Sequence, residues 1–66
     1  MELEVNGERH EVEEGTTLAQ LLQELKFTPN GTAVSVNDAI VPKGSWAEFV
    51  LAQGMKVDVF SLVAGG

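Results

Sequence analysis

The sequence predicts a two-layer α+β domain, a mixed sheet of about five strands with one main helix packed on one face. Three observations carry that expectation. Apolar and polar residues alternate at the start of the chain, a stripe of leucines at helical spacing follows, and further short apolar runs are separated by turn residues. The 66 residues make a single domain, 1–66, because a chain this short buries only about 60% of its unfolded surface and supports one small core.

Leu3 and Val5 alternate with Glu2 and Glu4, the period of a strand with one wet face. Asn6-Gly7 supplies the residue pair preferred in a type I′ hairpin turn. A return strand is expected over residues 8–13, with His10 and Val12 on one face. Gly15-Thr16-Thr17 breaks it. Leu18, Leu21, Leu22 and Leu25 then fall at i, i+3, i+4 and i+7, a single apolar stripe of a helix. Thr17 with Gln20 matches a capping box, with Thr16 as the other candidate cap. Thr28-Pro29-Asn30-Gly31 ends the helix.

Residues 33–36 read as a buried strand, Asn37-Asp38 as a turn, and residues 39–41 as a short strand closed by Pro42, which suits a sheet edge. Ser45 and Glu48 repeat the capping-box spacing ahead of Phe49, Val50 and Leu51, so one or two helical turns are expected there, closed by Gly54. A last strand starts near Lys56. The order β-β-α-β-β-(short helix)-β points to the β-grasp, ubiquitin-like arrangement, with the first and last strands central and parallel.

Composition excludes several classes of function. There is no cysteine, and His10 is the only histidine. A disulfide framework, a catalytic thiol and a Cys- or His-rich metal site are therefore ruled out. No apolar run approaches the length needed to span a bilayer, and the N-terminus lacks the pattern of a signal peptide, so a cytoplasmic location is expected. Ten acidic against four basic residues give a net charge of −6, which disfavours nucleic acid and favours an electropositive protein partner.

Groups able to do catalysis are not assembled. Ser35, Ser45 and Ser61 have only His10 as a base, none lies on a Gly-x-Ser-x-Gly elbow, and Glu11, Glu13 and Glu14 read as a solvated strand face. The glycines are scattered at turns and form no phosphate loop. His10 reads as a partly buried structural residue and Trp46 as a lid on the core. Phe60 and Leu62 stand in the opposite register to Val57 and Val59, which predicts a partner-docking patch on the outer face.

The chain stops at Val63-Ala64-Gly65-Gly66, directly after an apolar strand. Glycine has no β-carbon, so a diglycine end fits a narrow cleft. Residues 62–66, as a flexible tail, would reach at most ~17 Å from the fold at about 3.4 Å per residue. Such a tail presents a carboxylate to the active site of another protein.

Taken together, Gly15-Thr16-Thr17-Leu18, Leu21-Leu22, Val36-Asn37, Ile40-Val41-Pro42, Trp46 and Val63-Ala64-Gly65-Gly66 closely resemble the sulfur carriers of thiamine biosynthesis (ThiS), over nearly the whole chain. The chain departs from the family pattern at Met55, where aspartate is usual, and at Lys43, where arginine is frequent. The resemblance implies a carrier rather than an enzyme. An E1-like activating enzyme would use ATP to adenylate Gly66, and sulfur from a donor such as a cysteine desulfurase system would replace AMP to leave a thiocarboxylate. Thiazole synthase would accept the sulfur, with Val63, Ala64, Gly65 and Gly66 entering the partner's site and no cofactor or metal bound to the carrier itself. The alternatives are a sulfur carrier for molybdopterin or another pathway, and a ubiquitin-like protein modifier.

Overall fold

The computed structural model describes residues 1–28 and 30–61, with only the backbone at Ser61. Five strands, β1 (Glu2–Val5), β2 (Glu8–Glu11), β3 (Thr32–Val36), β4 (Ala39–Val41) and β5 (Lys56–Ser61), form one sheet in the order β2-β1-β5-β3-β4. The helix α1 (Leu18–Glu24) covers one face. β1 and β5 are parallel and every other pairing is antiparallel, so the first and last strands meet near the centre as the sequence predicts.

Local chemistry explains most of the boundaries. Asn6 and Gly7 have φ of 50° and 83°, the two left-handed residues that a type I′ turn requires. Asn37 and Asp38, at 51° and 69°, make a second turn of this kind between β3 and β4. The return strand β2 stops at Glu11, short of the expected residue 13, and Val12 instead exchanges backbone hydrogen bonds with Met1.

Thr17 is the helix N-cap. Its hydroxyl accepts from the Gln20 N–H at 3.2 Å, while Gln20 Oε1 accepts from the Thr17 N–H at 2.9 Å. Thr16 donates its hydroxyl back to the Glu13 carbonyl. At the other end, the Phe27 N–H donates to the Leu22 carbonyl and the Lys26 N–H to that of Gln23, the pairing of a Schellman stop. Lys26 takes the left-handed position, with φ 64°, that glycine usually fills.

The second capping-box spacing does not start a helix. One turn of 3-10 helix forms earlier, at Lys43–Ser45, and Val50 bridges Thr17 in an isolated antiparallel pair. The cause is tertiary. The first N–H groups of a helix lack partners within it, and here Leu18 donates to the Phe49 carbonyl and Ala19 to that of Trp46. Leu51 returns a bond to the Thr16 carbonyl. These bonds need residues 49–51 extended beside the start of α1.

The core is one cluster built from Leu3, Val5, Leu18, Leu21, Leu22, Val34, Val36, Val41, Trp46, Leu51 and Val57. Leu18, Leu21 and Leu22 of the helix are buried, and Leu25, at its C-cap, packs against the rim. Trp46 is the expected lid, 5% exposed, with its indole N–H donating to the Val41 carbonyl at 2.9 Å.

Candidate functional site

Successive strand residues point to opposite faces, so register decides what the uncovered face displays. On β5, Val57 is buried and Val59 packs against the core rim, while Phe60 stays 46% exposed on the other side. Phe60 lies opposite Ala33, Asp58 opposite Ser35, and Ser35 opposite Ile40 of β4. Ile40 is 65% exposed. Phe60, Ala33 and Ile40 therefore share the outer face around a buried Ser35, across strands spaced about 4.8 Å apart.

Phe60 thus sits where the sequence places it. Its expected companion, Leu62, lies outside the described residues, as do Val63, Ala64, Gly65 and Gly66. Ile40 was not foreseen as part of the patch. The signal was alternation against buried Val41, which assigns a face only once the β3–β4 register is known.

The other half of the outer face is charged. Glu2 and Glu4 of β1 lie opposite Glu11 and Arg9 of β2, and Lys56 and Asp58 follow on β5. Arg9 approaches Glu2 at 3.9 Å and Lys56 approaches Asp38 at 3.7 Å, both well exposed. Such pairs contribute little to stability, but the surplus of acid beside an apolar patch suits a basic partner surface.

No catalytic constellation is brought together among the described residues. His10 is half-buried on β2, facing the same side as Leu3, whereas Ser35 lies three strands along the sheet on the opposite face. A hollow of about 350 Å³ on the helix layer is lined by Ala19, Leu22, Gln23, Phe27 and Trp46, none of them titratable. Among the described residues no three His, Cys, Asp or Glu side chains are grouped to hold a metal ion, and no helix is long and apolar enough to cross a membrane.

The path to the tail is the remaining feature. β5 outlasts β1: the parallel pairing ends at Val5↔Val57, while β5 continues against β3 as far as Thr32↔Ser61. The last strand so delivers the chain, one residue after Phe60, to the start of residues 62–66.

A mixed β-grasp sheet with one covering helix, an outward apolar patch and a final strand running into a diglycine segment defines a small carrier domain. The chain belongs to the ThiS family, whose family model matches residues 2–66. It is a sulfur-carrier domain of the ThiS type. The sulfur carrier protein ThiS of Escherichia coli strain K12 is 30% identical over 66 residues, covering all of both chains. A thiazole synthase of Magnetococcus marinus is 39% identical over the same length, but this chain spans only 20% of it. The crystal structure of the thiamine biosynthesis protein ThiS from Geobacter metallireducens superposes with a TM-score of 0.85 at 25% identity, covering all of both chains.

Proposed function

We infer that this chain delivers sulfur through Gly66. A carboxylate is a poor electrophile, so a partner enzyme first joins it to the AMP portion of ATP with loss of pyrophosphate. Sulfide then attacks the acyl carbon, AMP leaves, and a thiocarboxylate remains on Gly66. ATP is a substrate of the activating enzyme, in keeping with a cytoplasmic reaction, and a cysteine desulfurase system supplies the sulfur as a persulfide, from which a second thiol releases sulfide while forming a disulfide. The carrier contributes the terminus and the docking face. The observation that carries this reading is the family match across residues 2–66, which includes the diglycine.

Thiazole synthase is the acceptor. Its support is the relative of that name, which contains a stretch matching all 66 residues of this chain. Phe60 and Ile40 form the apolar centre of the docking surface, and the acids of β1 and β2 meet a basic rim on each partner. Apolar anchors of this kind act mainly on dissociation and charge mainly on encounter.

Intact-mass measurement after incubation with the cognate activating enzyme, ATP and sulfide tests the chemistry. The expected product is heavier by one oxygen-to-sulfur exchange, and a chain lacking Gly66 stays unchanged. Covalent conjugates to lysines of other proteins, without the exchange, would establish a modifier instead.

A further inference from the structure

Two asparagines hold β5 from its two sides in the same way. Each is the first central residue of a type I′ turn, with φ of 50° at Asn6 and 51° at Asn37. Each donates its backbone N–H to a β5 carbonyl, Asn6 to Val57 at 2.9 Å and Asn37 to Lys56 at 2.8 Å. Each also accepts a β5 N–H on its side-chain oxygen, Asn6 from Val59 at 2.8 Å and Asn37 from Lys56 at 3.0 Å.

The difference is where on the strand they act. Asn37 grips the first residue of β5. Asn6 grips Val59 at the point where β1 turns away, so its side chain takes the place of the strand that is no longer there. Beyond it only β3 flanks β5 among the described strands. Phe60 follows immediately, and residues 62–66 begin two positions later.

We propose that Asn6 is a positioning residue for sulfur loading, its side-chain carbonyl fixing the end of β5 on the side that β1 no longer covers, so that Phe60 is held in place to dock on the partner. This rests on the carrier reading above. A strand held at that point arrives already ordered, and binding then costs less conformational freedom. Removing the grip leaves the chemistry at Gly66 intact but lowers the fraction of encounters that are productive. Such a loss of uniform binding raises KM rather than lowering kcat.

Asn6→Gly deletes the side-chain bond while keeping a residue at ease with positive φ. Asn6→Asp keeps both the acceptor and the tolerance for that conformation. Asn37→Gly makes the same change at the far end of the strand and controls for stability. Adenylation of each full-length variant is measured with the cognate activating enzyme and ATP, with amide hydrogen exchange followed at Val59. For Asn6→Gly we expect faster exchange at Val59 and a KM for the carrier raised about three- to tenfold, the size of one net hydrogen bond. Its kcat should stay within about twofold. Asn6→Asp should restore most of the loss, and Asn37→Gly should leave KM near wild type. Equal impairment by Asn37→Gly, an unchanged KM in Asn6→Gly, or failure of Asn6→Asp to rescue overturns the positioning role alone. A wild-type chain that is never adenylated overturns the carrier reading and this role with it.

Discussion

On β5, Val57 is fully buried beneath the helix layer, while Phe60, three residues on, keeps nearly half its surface exposed. On β4, Val41 is buried and its neighbour Ile40 is the most exposed large apolar residue among those described. Both contrasts arise from one period-2 pattern, read on two faces of one sheet. The inner face is closed by α1 and Trp46 and supplies the stability of a small domain. The outer face carries apolar side chains of similar size that no element of the described chain covers. Apolar surface left open on one face of a sheet is available for a partner, and a domain this small needs no second core to fold.

If the division holds, substitutions on the inner face act on stability in proportion to what they leave unfilled. Leu21→Ala, at a fully buried position of α1, should cost about 2–5 kcal/mol in urea unfolding. A cost below about 1 kcal/mol would mean that the helix is not the main source of burial. Trp46→Phe removes the indole donor to Val41 and part of the lid. The expected loss is about 1–3 kcal/mol by the same measurement.

The helix that closes the inner face also carries a local strain. Lys26 holds a left-handed position at the Schellman stop, and side chains other than glycine do so at a cost. Lys26→Gly should therefore stabilise the domain by up to about 1 kcal/mol, read as a higher melting temperature. Ile40→Thr gives the smallest effect. It exchanges an exposed apolar residue on the outer face for a strand-compatible polar one, and unfolding free energy should stay within about 0.5 kcal/mol of wild type. A larger loss would place Ile40 in the core's support rather than on an open face.

Signals confined to neighbouring residues were legible in the sequence. Asn6-Gly7 and the Thr17–Gln20 box were readable because their hydrogen bonds close within a few residues. Phe60 was readable because alternation along β5 assigns its face. The Ser45–Glu48 spacing carries the same local signal as Thr17–Gln20 but does not nucleate a helix, because the open end of α1 recruits the Phe49 carbonyl. Ile40 needed the register of β4 on β3, and the grip of Asn6 on Val59 spans 53 positions in sequence. Neither can be seen from spacing alone.

The claim that the two faces do separate work is tested most directly by the affinity of the Ile40→Ala, Phe60→Ala double variant for the cognate activating enzyme, titrated under conditions where its folded state is verified by urea unfolding. The expected result is a loss of about tenfold or more in affinity, carried mainly by faster dissociation, with an unfolding midpoint close to wild type. Unchanged affinity, or a destabilisation as large as that of Leu21→Ala, would contradict it.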